Sequence, residues 1–428
     1  MKKINLTGLI FVWSAAFHSV FAQESRDTLR YTISGAEKVF LENNLPLLAE
    51  ELNISQADAR ITQAKVWPNP TFTLDEIQLY KNSTTDVIPP LFGNFWRDRT
   101  FSAHLEQLVF TAGKRKKGIA LEMRNKEMAQ SVFADLLQSL KAEFRQTAAE
   151  LRYLQQVQNG WVLQLAEVDK LLKAQQSQLA EGNISQAEMY RFKALRISLQ
   201  GEINALGERM TEAQSALKTL MYIDPRTYVI IEEEPGGGDI ARLKRHTLDE
   251  LIALTDNNAS LQAARTQVKI SEAQLAIERA NRVPDITFNA NYDRNGSVML
   301  NFVGVGFAMD IPMFNRNRGA TRAALIEVQK SNLMEKNKVS ELGNAVAKSW
   351  TDLNKSIQLY EAIDADYVEK LDDMTKAVAR NFLQHNISLL EFLDFFESFR
   401  ESKEKYYEAA KNIVVQKENL NYLIGSEL

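Results

Sequence analysis

Between Ile270 and Val328 the hydrophobic period changes twice, and few folds accommodate both changes in one continuous unit. Leading into it, Leu254, Leu261, Val268 and Leu275 recur every seven residues, with Ile270, Ala273, Ile277 and Ala280 as a second stripe beside them. That is the spacing of a helix with one buried face. The pattern stops at Arg282-Val283-Pro284, because proline drives the residue before it out of the helical region. Ile286, Phe288, Ala290 and Tyr292 then interleave with Asp285, Thr287, Asn289, Asn291 and Asp293, which predicts a strand with one apolar and one polar face. Asn295-Gly296 signals a hairpin turn. A second alternating run sets Val303, Val305, Phe307, Met309 and Ile311 against Gly304, Gly306, Ala308 and Asp310. After Pro312, the Arg-rich segment Phe314-Asn315-Arg316-Asn317-Arg318-Gly319 turns the chain into another long helical pattern. The unit is helix, hairpin, helix.

The same unit occurs earlier in the chain. Ile54, Ala57, Ile61, Ala64, Pro68 and Phe72 recur at one constant offset as Ile270, Ala273, Ile277, Ala280, Pro284 and Phe288. Asn43-Asn44 answers Asn257-Asn258, and Asn183-Ile184-Ser185-x-x-Glu188 answers Asn386-Ile387-Ser388-x-x-Glu391. Ser34-x-x-Glu37 and Thr247-x-x-Glu250 read as capping boxes that open the two copies. A duplicated chain follows: a first repeat over 23–231 with strands near 70–80 and 100–110, a linker over 232–246 near the equator of the molecule, and a second repeat over 247–428 with strands near 285–293 and 298–311. The first hairpin has the longer tip, a loop of nearly twenty residues from Lys81 to Arg99, and its first strand loses alternation near Asp75-Glu76. Loops of that length are usually functional or mobile.

Helix lengths match between the halves. Ala112 to Ala180 reads as one outgoing helix with a possible break at Asn159-Gly160, and Ile184 to Tyr222 returns; Gly319 to Gln384 goes out and Ile387 to Leu423 returns. At ~1.5 Å per residue an outgoing helix spans on the order of 100 Å. The returning helix and the leading helix, Ser34–Val66 or Thr247–Arg282, together match it in length.

Lys2, Lys3 and the apolar run Ile4 to Phe21 form a secretion signal over residues 1–22, with cleavage expected after Ala22. The chain has no Cys, so disulfides, thiolate chemistry and a lipid-anchoring cysteine are excluded. A net charge of −4 with 25% charged residues argues against a nucleic-acid binder. Beyond the signal, no apolar run approaches the length of a spanning helix. Membrane entry must therefore use strands. Four strands cannot close a barrel, for which at least ~8 are needed, and an open edge in lipid costs several kcal/mol per unpaired backbone group. Closure requires further copies, and three copies supply twelve strands.

The duplicated unit, Pro68 and Pro284, the Gly182-Asn183-Ile184-Ser185 turn and Leu389-Leu390-Glu391-Phe392-Leu393-Asp394 together resemble the outer-membrane efflux proteins, the TolC-like channels. Lys65-Val66-Trp67-Pro68-Asn69-Pro70 and Phe110-Thr111-Ala112-Gly113-Lys114-Arg115 look most like the heavy-metal cation efflux branch. The resemblance implies a mostly α fold with a small β part. Long antiparallel coiled-coil helices would form a periplasmic α-barrel, and four strands per chain would complete a twelve-stranded barrel in the outer membrane. It implies a homotrimer in outer-membrane lipid, an inner-membrane efflux pump of the RND type and a periplasmic adaptor (membrane fusion) protein at the helical tip. A periplasmic coiled-coil adaptor or scaffold and the outer-membrane channel of a type I protein secretion system are the alternatives. An adaptor would need a β domain between its helical halves, for which residues 223–246 are too few.

Repeated by threefold symmetry, Glu188, Glu391 and Asp394 would ring the narrow end with carboxylates that select cations or gate the aperture, and Arg191 is placed to latch onto a second-half acid. The turns Gly182, Asn183, Ile184, Ser185 and His385, Asn386, Ile387, Ser388 are the expected adaptor contacts. Lys114 to Lys117, Arg115 among them, with Arg316 and Arg318, follow the return strands and are expected to snorkel to lipid phosphates. Trp67 and Trp96 are expected interfacial aromatics. Phe392, Phe395, Phe396 and Phe399 read as helix packing. His18, His104, His246 and His385 are scattered, with no metal-binding spacing. No nucleophile elbow, P-loop or dinucleotide fingerprint is present. The reading is a passive duct, with neither enzymatic activity nor cofactor.

Overall fold

The computed structural model of the chain describes residues 27–78, 100–232, 240–295, 300–363 and 365–428. The expected signal and its cleavage point, the loop over 81–99 with Trp96, residues 233–239 of the linker and Gly296 of the hairpin turn lie outside these.

Each leading helix is broken once. α1 (Ile33–Asn43) and α2 (Leu45–Ala64) meet at Asn44, where the sequence predicts one helix. In the second half α6 (Leu248–Leu254) and a 3₁₀ turn (Thr255–Asn257) precede α7 (Ala259–Ala280) at Asn258. Both asparagines are N-caps: Leu47 N–H donates to Asn44 Oδ1 and Leu261 N–H to Asn258 Oδ1, each at 3.1 Å. A side chain that satisfies a backbone donor in a non-helical conformation favours a new start over continuation. The capping box at Thr247 and Glu250 forms as expected. The one at Ser34 does not. Thr32 caps α1 instead, accepting from Gly35 N–H, and Glu37 turns to Arg145.

α3 (Lys114–Ala180) runs unbroken for 67 residues, about 100 Å, through the suspected break at Asn159-Gly160. Val157 and Trp161 pack on either side of that point, and such contacts exceed the ~1 kcal/mol that an interior glycine costs. α4 (Gln186–Met221) returns. The second outgoing helix, expected as one piece, is two: α8 (Arg318–Ala362) and α9 (Ala365–Leu383), with Ile363 extended at φ −96°, ψ 119°. Neither Gly nor Pro marks that break. α10 (Leu389–Ile424) returns.

β2 (Thr71–Gln78), β3 (Thr100–Val109), β5 (Ile286–Asn295) and β6 (Leu300–Met309) form one antiparallel sheet in that order. Register breaks between Asp75 and Gln78, where the sequence loses alternation. The pairings Phe72↔Leu105, Leu105↔Ala290 and Ala290↔Val305 place these residues, with Phe288 and Phe307, on one face. That face is bare in the single chain, Val305 being 85% exposed. The other face carries Thr73, Asp75, His104, Glu106, Asn289, Asn291 and Asp293. β2 and β6 are the edges, without a further strand partner among the described residues. Gly304 and Gly306 sit under Asn291 and Asn289, whose Oδ1 atoms would lie 2.4 and 2.7 Å from an added Cβ. A small parallel sheet absent from the sequence reading pairs β1 (Thr28–Tyr31) with β4 (Tyr228–Ile231) at the waist. α5 (Ile240–Leu243) follows β4.

In the upper stalk the packing order is α2, α3, α7, α8; in the lower stalk it is α4, α3, α10, then α8 and α9. Three buried apolar clusters hold this wall: one at the waist around Phe40, Phe144 and Met221, one at the tip around Phe192 and Phe392, and one in the second half around Val346, Leu353 and Leu420. Among the described residues no helix is long and apolar enough to cross a membrane.

Candidate functional site

The two tip turns are built alike. After α3, Gly182 (φ 80°) takes the left-handed conformation, Asn183 N–H donates to Gln178 O and Gly182 N–H to Leu179 O. After α9, His385 (φ 61°), Asn386→Asn381 and His385→Phe382 repeat the pattern. This is the six-to-one and five-to-two bonding that satisfies a helix's last carbonyls. Ser185 and Ser388 then open the return helices through full capping boxes. Ser185 N–H donates to Glu188 Oε2 at 2.9 Å and Ser388 N–H to Glu391 Oε2 at 2.7 Å. The expected gate carboxylates Glu188 and Glu391 are thus engaged in ending the turns, a role their Ser-x-x-Glu spacing encodes. The hydrogen bond from the Ser388 backbone holds the Glu391 carboxyl below its ordinary pKa.

Asp394 is different: it is exposed and has no bonded partner among the described residues. Arg191, also exposed, has no ion-pair partner among the described residues. Ile184 and Ile387 tuck against the tip cluster, where Phe192 lies 5.3 Å from Phe382 and 5.8 Å from Phe392 between ring centroids. These contacts join the first-half tip to the second. In the phenylalanine stripe, Phe392 and Phe396 are buried while Phe395 stacks on Phe399 at the surface. Farther from the tip, Arg400 pairs with Glu202 and lies over Trp161, Lys403 pairs with Asp372 at 2.6 Å and Arg196 with Asp169 at 2.6 Å. The sequence reading missed this ladder, because its partners lie on different helices, 27 to 198 residues apart, and leave no local signal.

At the sheet end, Lys114 turns inward rather than toward lipid. Its Nζ lies 2.9 Å from Asp285 Oδ1, donates to Val283 O at 2.8 Å, and its side chain is only 13% exposed. Thr111 N–H donates to the same carboxylate at 2.8 Å. The exit of the first hairpin is thereby pinned to the start of the second. Arg115 packs over the exposed Trp67 ring at 4.7 Å and donates to Lys65 O. Arg316 and Arg318 are exposed, flanking Asn317, which takes a left-handed φ of 50° and donates to Glu278.

At the waist, Arg145 holds Glu37 by two contacts (2.8 and 3.0 Å), Glu418 at 3.0 Å and Glu427 at 2.9 Å. Burial alone would lower the guanidinium's pKa, but the three carboxylates more than offset it and hold it above its ordinary value. Nearby, burial pushes the Tyr153 hydroxyl up to about 12. The described residues contain no group of three or more His, Asp or Glu able to hold a metal ion.

A polar strand face, an apolar strand face and a long helical wall that is open along both flanks describe one segment of a tube. The family described as outer membrane efflux protein matches residues 38–221 and 252–426 of this chain. The cobalt-zinc-cadmium resistance protein CzcC of Cupriavidus metallidurans is 23% identical over 315 residues, 73% of this chain and 70% of that protein. The nickel-cobalt-cadmium resistance protein NccC of Alcaligenes xylosoxydans xylosoxydans is 23% identical over 289 residues, 66% of this chain and 61% of that one. Among solved structures, the outer membrane protein VceC of Vibrio cholerae superposes with a TM-score of 0.69 at 15% identity, covering 92% of this chain and 96% of its own. That likeness shows a shared fold.

Proposed function

The chain belongs to the outer membrane efflux protein family, and from that premise we propose that its cargo is divalent heavy-metal cations. It is an outer-membrane efflux channel with a periplasmic helical extension, and such channels act with a periplasmic adaptor and an inner-membrane pump. The observation carrying the cargo proposal is that two relatives, matched over about two thirds or more of this chain, are named for resistance to cobalt and cadmium, one also to zinc and one to nickel. The inner-membrane pump would be of the RND type, as the resemblance to the heavy-metal cation efflux branch implies.

In this reading three copies close a twelve-stranded barrel, with β6 of one copy pairing with β2 of the next. The halves 23–231 and 247–428 act as repeats joined at 232–246, after removal of 1–22. Glu188, Arg191, Glu391 and Asp394 face the narrow aperture, with Asp394 as the free charge. The turns 182–185 and 385–388 are exposed for the adaptor, except that Ile184 and Ile387 anchor them. Trp67, Arg115, Arg316 and Arg318 sit at the lipid boundary, and Lys114 steadies it from within.

The test is a strain lacking this chain, challenged with cobalt, zinc, cadmium and nickel salts and, in parallel, with dyes and detergents. Metal tolerance should fall and return on complementation. Unchanged metal tolerance beside new dye sensitivity would overturn the cargo assignment and leave the channel itself in place.

A further inference from the structure

α3 and α4 carry a groove of about 760 Å³ at the waist, lined by Glu143, Glu208 and Glu212 with no cation among its walls. None of the three carboxylates has a partner among the described residues. Glu208 and Glu212 lie roughly 150° around α4 from the buried stripe Leu206, Met210, Ala213 and Leu217, at about 100° per residue. They therefore face away from their own chain.

The opposite flank of the wall offers the complement. On α8, Lys348 and Lys355 stand roughly 150° from the buried stripe Leu342, Val346, Leu353 and Ile357. Both lean on a single acid, Asp352, at 3.6 and 3.8 Å, and their side chains are 83% and 72% exposed. In this part of the stalk α4 packs on α3, α3 on α10 and α10 on α8, with α1 and β4 laid against the buried stripe of α4 and α6 against that of α8, so α4 and α8 end the row and their polar faces are left uncovered by the described residues.

Cross-helix bonds put these groups at one height. Ser349 bonds Gln416 at 3.3 Å, Gln146 bonds Asn419 at 2.8 Å, and Glu150 meets both Lys411 (3.0 Å) and Arg209 (2.9 Å). Read across the wall, Lys348 stands level with Glu212. α8 and α4 run in opposite directions along the stalk, so Glu208, about 6 Å below Glu212, falls in height between Lys348 and Lys355, which lie about 10 Å apart along α8. Rotation about an axis parallel to the stalk leaves height unchanged.

We propose that the acidic groove of Glu143, Glu208 and Glu212 is the seat of Lys348 and Lys355 from the neighbouring copy, an ionic buckle that sets the axial register between copies at the waist. This rests on the trimer reading above.

The chain has no cysteine of its own, which makes cross-linking a clean test. The full chain carrying Lys348→Cys with Glu212→Cys, and separately Lys355→Cys with Glu208→Cys, is purified in detergent and treated with a short bis-maleimide. Each double variant should give a covalent trimer on a denaturing gel, and each single variant should remain unlinked. A species that sediments as a trimer but yields no covalent product from either pair overturns the buckle and leaves the trimer standing. A species that sediments as a monomer overturns both.

Discussion

Glu391 and Asp394 begin the same helix but are chemically unlike. Ser388 N–H and Oγ both reach the Glu391 carboxylate, at 2.7 and 2.8 Å, whereas Asp394 has solvent as its surroundings. If the tip is the aperture, the unpaired charge controls passage. Asp394→Asn should weaken block by multivalent cations and raise conductance in planar bilayers. Glu391→Gln, whose amide oxygen can still accept the cap hydrogen bond, should change both less. Equal effects, or none from Asp394, would remove it from the aperture. The distinction was legible locally. The Ser-x-x-Glu spacing that marks a capping box at Thr247 also stands at Ser185 and Ser388, and a glutamate that closes a box is less available as a free charge. At Ser34 the same spacing misleads, because Arg145 offers Glu37 a charged partner and Thr32 takes the cap.

Elements meet at two buried asparagines. Asn44 (2% exposed) donates from Nδ2 to Leu220 O, and Asn258 (0%) to Tyr422 O and Leu423 O. Each starts one helix and caps the end of another. Beside the second, Gly425 (φ 71°) passes so near Asn257 that an added Cβ would lie 2.5 Å from its carbonyl oxygen, so that close passage requires glycine. Asn258→Ala should cost about 2–3 kcal/mol, combining a lost cap with carbonyls stripped of their donor, and should speed amide exchange in the last turn of α10. A cost below about 0.5 kcal/mol, the range of ordinary surface changes, would mean the joint is held by packing alone. In the sequence these asparagines mark only the correspondence between halves. A helix break formed by a side chain reaching a carbonyl some 170 residues away cannot be read from its neighbours.

Across the whole molecule, Arg145 gathers α1, α3 and α10 at the waist. The hydrogen bond from Arg145 holds the Glu427 carboxyl below its ordinary pKa of 4.5. A group lowered in this way stabilises the fold above its unfolded pKa and loses that contribution as pH falls through the folded one. Stability should therefore be level from neutral pH to about 5 and decline below it, modestly for Glu427 because much of its side chain meets solvent. Arg145→Lys keeps the charge but not the two-pronged grip on Glu37, and should move acid unfolding to higher pH. An unmoved midpoint would show that other carboxylates govern the acid limit.

Residue spacing alone determined where the period switches between helix and strand, that two hairpins exist, which strand face is apolar, and that such strands need further copies to close. All of these follow from geometry within a few residues, since helix and strand periods and proline's restriction act locally. Tertiary structure alone decided which groups meet across long separations: β1 with β4, Lys114 with Asp285, Arg400 with Glu202, and Arg145 with three acids distant in sequence. Periodicity states that a face must be covered or a charge answered. Which of many similar helices does so depends on packing summed over the whole wall.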